Sequence, residues 1–186
     1  MARKKTAKPR AKKKTIFVLK VALTYESEIS RQIEIAGTDA LEDLHFAIFE
    51  AFERDEEQLY SFFFGRTHKD HNKEYTPIDE NPKVNHDTPG LKDSKTTGMN
   101  KLGLKKGRTF EYVFDFHDSW WHTLEVVAIE ERTDREEYPR MVDGEGDSPP
   151  QYEEHKGDDD LYDEDVEDLE VEFGDFLNID NEHHLD

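Results

Sequence analysis

The chain has 186 residues, a formal net charge of −20, 34% hydrophobic and 38% charged residues, so it can form one domain with a sizeable core although its mean composition borders on that of disordered chains. It has no cysteine, which excludes disulfides, thiolate zinc sites and a cysteine nucleophile. No apolar run approaches the ~18–20 residues that a membrane helix needs, and the expectation is a cytoplasmic protein with no membrane role.

The charge is uneven. Residues 1–14 carry eight Lys/Arg and no acid, which leaves −28 on the remainder. With Pro9 and little to bury, this basic arm is expected to be disordered. Lys4, Lys5, Arg10, Lys12, Lys13 and Lys14 are its candidate binding residues, making weak, salt-dependent contacts with nucleic acid or another polyanion. A solubilising tail, or an arm laid on the protein's own acidic surface, is the alternative.

From residue 15 to 25, Phe17, Leu19, Val21, Leu23 and Tyr25 alternate with more polar positions, as in a half-buried strand. Ile29, Arg31, Ile33 and Ile35 suggest a second strand after a turn at 25–28. Asp39 is a suitable N-cap, and Glu42 completes a capping-box-like pair. Leu41, Leu44, Ile48, Phe49 and Phe52 then fall at helical spacing, predicting an amphipathic helix over 41–54. His45 is expected at the boundary of that stripe. Residues 59–64 read as a third strand stopped by Gly65. The polar stretch 66–101 reads as a solvated loop holding a short strand at 74–78. His68, His71, His86, Asp70 and Asp87 lie there, but their spacing fits no metal motif, and no metal or cofactor is assigned.

The strongest pattern is residues 110–127, two β-branched and aromatic runs around a polar break at 117–119. Alternation puts Phe110, Tyr112, Phe114 and Phe116 on one face, and Trp120, His122, Leu124 and Val126 on the matching face of the second run. This hairpin is the expected centre of the core and holds the candidate site. An imidazole beside carboxylates can do acid–base work or bind a metal, so Asp115, Asp118 and His122 are the candidate catalytic residues. Trp120 is a candidate binding residue. Asp115 or Asp118 is expected to hydrogen-bond His122 and fix its tautomer.

Beyond the hairpin, 130–137 is charged and expected to leave the sheet. Residues 138–150, with three Pro and two Gly, predict a fixed-path loop. Their Gly-x-Gly lacks the flanking strand and helix of a nucleotide fingerprint, and the acids lack the ligand series of a calcium loop. From residue 153 on there are sixteen acids and one Lys. Tyr162, Val166, Leu169 and Phe173 recur at helical spacing, predicting an acidic helix over 160–173 that could dock a basic protein partner, before a frayed tail at 181–186.

Several segments together resemble a known family. Asp115-Phe116-His117-Asp118-Ser119-Trp120-Trp121-His122 is similar to the signature of the plasmid Ri ORF-three-like family. Leu41-Glu42-Asp43-Leu44-His45 resembles its first helix, and Leu102-Gly103-Leu104-Lys105-Lys106-Gly107 its pre-hairpin turn. Residues 138–150 resemble its Gly/Pro loop, and Phe173-Gly174-Asp175-Phe176 its C-terminal segment. The resemblance spans residues 15–180 and implies a single domain of a family often encoded on plasmids and insertion elements. It implies no reaction. From the element order, the fold class is α+β, a mainly antiparallel sheet with the central aromatic hairpin, one covering helix and a C-terminal acidic helix. The expected function is non-enzymatic binding or accessory work, in some association with mobile DNA. A hydrolase or metal-dependent enzyme using Asp115, Asp118 and His122 is one alternative, and an acidic protein-interaction module is another.

Overall fold

The structure is a computed structural model and describes residues 12–65, 70–78 and 90–152. Residues 1–11, His68, His86, Asp87, the expected acidic helix at 160–173 and the tail at 181–186 lie outside the described residues. Among the described residues there are eight strands and one long helix: β1 (Lys14–Leu23), β2 (Ser30–Ala36), α1 (Leu41–Ala51), β3 (Tyr60–Phe63), β4 (Glu74–Thr76), β5 (Lys92–Asp93), β6 (Thr109–Phe114), β7 (Trp120–Arg132) and β8 (Arg140–Glu145). Short 3-10 turns lie at His71–Lys73 and Met99–Leu102. The strands form one sheet in the order β5-β4-β3-β6-β7-β1-β2-β8. Every pairing is antiparallel except β4 with β5. The α+β class with a mainly antiparallel sheet is therefore what the chain adopts.

Alternation along the strands builds the core on the face that α1 covers. Phe17, Leu19 and Val21 of β1, Ile33 and Ile35 of β2, Phe62 of β3, Phe110, Tyr112 and Phe114 of β6, and Leu124 and Val126 of β7 are buried together with Leu41, Leu44, Ile48 and Phe52. Burying so many large side chains at ~1.5–3 kcal/mol each is what overcomes the unfavourable mean composition. The helix starts at Leu41 as expected, but its N-cap is Ala40 rather than Asp39. Asp43, not Glu42, closes the capping box by accepting the Ala40 N–H at 2.7 Å, while Asp39 accepts the Ala36 N–H at 3.0 Å.

The helix ends at Ala51 rather than at 54. Glu53 sits at φ 52°, and Arg54 N–H reaches back to the Phe49 carbonyl at 3.1 Å. This is a Schellman-type stop with a non-glycine residue in the left-handed position. It turns the chain so that Arg54 points inward. Glu53 is exposed, so Glu53→Gly relieves strain without removing a packed side chain. The expected result is a stabilisation of up to ~1 kcal/mol, measured by urea unfolding.

Four expectations are corrected at strand ends. Lys14 is the first residue of β1, not part of an arm; its ammonium donates to the Glu136 carbonyl at 3.0 Å. Tyr25 is outside β1 and 83% exposed. β7 continues through Arg132, because β1 pairs with it along its length from Lys14↔Arg132 to Leu23↔His122. Residues 140–145 are a strand, β8, laid against β2 despite the Pro/Gly content around them. Long-range groups make that strand. The buried Arg31 of β2 donates to the carbonyls of Ala51, Glu145 and Gly146 and to Ser148 Oγ. Gly146 sits at φ 71°, and a Cβ there would be strained and tight against Ile29 at 3.0 Å. Glu34 of β2, itself buried, accepts paired bonds from Arg132 and Arg140 at 2.7–3.0 Å. Arg132 first, then Arg140, holds the Glu34 carboxyl below the usual range.

Candidate functional site

The hairpin is present, but it does not assemble the expected Asp/His pair. β6 pairs with β7 from Thr109↔Glu125 to Phe114↔Trp120, leaving a five-residue loop at 115–119. Asp115 and Ser119 both adopt positive φ, 57° and 56°. The buried Asp115 carboxylate accepts the His117 N–H at 2.9 Å and the Asp118 N–H at 3.3 Å, and its second oxygen accepts Tyr152 O–H at 3.3 Å. Asp115 is thus the cap of its own turn. Its left-handed backbone breaks the alternation, so Phe116 is 51% exposed instead of joining the core. Asp118 stays at the surface beside His117, 3.9 Å away.

His122 is where alternation places it, on the inward face of β7, 1% exposed. Its partner is not a carboxylate. Nδ1 donates to the Trp120 carbonyl at 3.0 Å, which leaves Nε2 as the unprotonated nitrogen. The ring lies against Phe52 and Tyr112. Burial, and then the nearby Arg54 charge, lower its pKa to about 3. The expected Asp–His122 hydrogen bond is therefore absent, and His122 is a neutral core residue at ordinary pH. Asp115, Asp118 and His122 do not converge on one point.

A second histidine, expected at the boundary of the helix stripe, lies inside the core. His45 is fully buried, stacked on Tyr60 at 3.7 Å, with its Nδ1 2.7 Å from the Tyr112 hydroxyl. Burial lowers its pKa to about 3. The same burial raises the phenols of Tyr60 and Tyr112, and Tyr60 also shares a hydrogen bond with Ser94. The sequence did carry the signal: positions 41, 45, 48 and 52 fall on one side of a helix, which puts His45 inside the apolar stripe. Trp120 is half-buried, and its ring carries the Arg54 guanidinium at 3.9 Å. Neither Arg54 nor Arg31 stands out in the sequence.

The open surface lies elsewhere. Between the outward side of α1 and β8 runs a groove of about 420 Å³, lined by Asp43, Phe46, Ala47, Glu50, Pro139 and Met141 among others. It continues past Glu53 and Asp147. Phe46 is 42% and Met141 48% exposed. β8 is the last strand of the sheet, and among the described residues no strand pairs with its outer edge. Among the described residues no group of three His, Asp or Glu could hold a metal, and no helix is long and apolar enough to cross a membrane. His71 is instead hydrogen-bonded to Glu74.

The comparisons with known proteins agree with this fold. The profile of a family described as "Plasmid pRiA4b ORF-3-like protein" matches residues 15–171. No curated protein sequence matches. Among solved structures, a protein of unknown function from Methanosarcina mazei Go1 superposes with a TM-score of 0.59 at 19% identity, over 74% of this chain and 73% of that one. At that identity the likeness shows the fold alone.

Proposed function

The chain belongs to the plasmid pRiA4b ORF-3-like protein family, and on that footing we propose that it is a non-enzymatic binding or accessory protein that takes a basic, apolar-anchored peptide segment along β8. One observation carries the reading: an edge strand left open among the described residues, beside the half-exposed Phe46 and Met141. An edge strand offers a free row of N–H and C=O groups to which an extended peptide can add. Apolar pockets beside it then select alternate side chains. The acids Asp43, Glu50, Glu53 and Asp147 line the groove, which favours Lys or Arg in the peptide. The cations that line it are already engaged, Arg140 with Glu34 and Glu136 and Arg31 with the Ala51 and Glu145 carbonyls.

A fluorescein-labelled peptide of alternating lysine and valine should bind, and the same peptide with glutamate for lysine should not. The double variant Phe46→Ser, Met141→Ser should weaken binding at least fivefold, read by fluorescence anisotropy. Equal binding of the two peptides, or an unweakened double variant, rules the groove out.

A second reading rests on the basic N-terminal segment 1–14, whose eight Lys/Arg come without one acid. Lys13 is 3.4 Å from Glu131 and Lys14 bonds to Glu136, so both are engaged with the protein itself. Lys4, Lys5, Arg10 and Lys12 remain the candidates for polyanion contact and for any association with mobile DNA. If that contact forms, duplex DNA affinity falls with salt at a log–log slope of about −0.9 for each phosphate neutralised. Unchanged affinity after deletion of residues 1–11 removes the arm from the account.

A further inference from the structure

Four polar atoms around Arg54 are buried with no hydrogen-bond partner among the described residues: Arg54 Nε, Arg54 Nη2, Trp120 Nε1 and His122 Nε2. They belong to one cluster. Arg54 is 6% exposed and stacks on the Trp120 ring. Trp120 and His122 are two apart on β7, joined by the His122 Nδ1 bond to the Trp120 carbonyl. The Arg54 charge is felt at both His122 and Tyr112. One guanidinium nitrogen is spoken for, Nη1 donating to the Pro149 carbonyl at 3.0 Å. The strap that carries Pro149 is pinned by Gln151, which accepts the Asp55 and Glu56 N–H groups and donates to the Glu56 carbonyl.

Among the described residues no carboxylate bonds to Arg54; Asp55, next in the chain, acts on it only through its field. Asp115 is spent on its own loop and Tyr152, and no ion pair to Arg54 is formed among the described residues. A buried guanidinium with free donors is costly unless something anionic meets it. Aromatic stacking on Trp120 offsets only part of that.

The unpartnered atoms also define the shape of the missing chemistry. Arg54 Nε, Arg54 Nη2 and Trp120 Nε1 can only donate. His122 Nε2 can only accept, because Nδ1 holds the proton. We infer that Arg54, Trp120 and His122 form a site for a small oxyanion that also carries an O–H, of the hydrogen phosphate class. Its bare oxygens accept from Arg54 and Trp120, and its O–H donates to His122. Sulfate has the same size but no proton at neutral pH, so it leaves His122 Nε2 facing an oxygen lone pair. This site is separate from the α1/β8 groove and does not rest on it.

The test uses the full chain. Its melting temperature is measured with inorganic phosphate from 0 to about 10 mM, against sulfate and chloride at matched ionic strength, with tryptophan fluorescence as a second readout. The expected result is a saturable upward shift of a few degrees with phosphate, as ligand binding to the native state requires, and a much smaller one with sulfate. Sulfate is at least as strong a general stabiliser, so that order separates binding from a bulk salt effect. Arg54→Met should abolish the phosphate shift and raise the melting point in its absence. If that variant does not fold, Trp120→Phe carries the test, with phosphate half-saturation weakened at least threefold. No excess of phosphate over chloride, equal response to sulfate, or a full response in Arg54→Met or Trp120→Phe overturns the site.

Discussion

Phe114→Ala should cost ~3–5 kcal/mol, while Phe116→Ala should change stability by no more than ~0.5 kcal/mol. The two residues sit two apart in one alternating run, and a simple strand would treat them alike. Phe114 is 1% exposed and packs edge-on against Phe49 at 5.7 Å, so truncation leaves a cavity beneath the helix. Phe116 is half out in solvent beyond a left-handed Asp115. Urea unfolding of both variants checks the difference. Equal losses mean that the turn begins after residue 116 and that the inward face has been drawn one pair too short.

The second large effect is on acid stability. His45 and His122 are buried neutral, with pKa values of about 3 in the folded protein against an ordinary 6.5. In the unfolded chain both take a proton near pH 6.5; in the folded chain they do not until about pH 3. Their contribution is complete above pH 6.5 and is lost as the pH falls from there towards 3. Each group removes about 1.4 kcal/mol per pH unit in that window, and the pair roughly twice that. For a domain stabilised by ~5–15 kcal/mol this is a large fraction. Glu34, held low by Arg132 and Arg140, adds its own loss only below its unfolded value of about 4.5. Unfolding free energies at pH 7.5, 6 and 5 should therefore drop steeply. His122→Gln should flatten the slope by about half, even though the variant is less stable at pH 7.5. A curve that is level between pH 7.5 and 5 contradicts the buried neutral histidines.

What was legible in the sequence was what local pattern determines. Alternation of branched and aromatic residues located β1, β2, β3 and the β6–β7 hairpin, and it put His122, Leu124 and Val126 on the buried face. The helix stripe was visible for the same reason. Errors arose where a distant group decides. β8 reads as a loop because Pro139, Gly144 and Gly146 flank or interrupt it; it is a strand because Arg31, Glu34 and β2 hold it. Asp115 reads as a partner for His122, two acids being close in sequence. The backbone of its own turn is closer in space and takes one carboxylate oxygen, while Tyr152 O–H takes the other. Arg54 reads as the last residue of the helix over 41–54, with nothing in the local pattern to mark it out. Only the left-handed Glu53 sends it inward, onto Trp120. The groove needed α1 and β8 side by side, which no local pattern foretold.

The centre of this molecule is a closed core, and the state of His122 within it decides whether chemistry can be done there. A ¹⁵N-edited NMR titration of the imidazoles in phosphate-free buffer tests it directly. His122 should show a protonated Nδ1 and an unprotonated Nε2 from pH 8 downward, with no titration before the acid unfolding transition. A His122 that titrates near pH 6–7 in the folded protein, with its positive charge held by a carboxylate, would contradict the account and return the hairpin to acid–base chemistry.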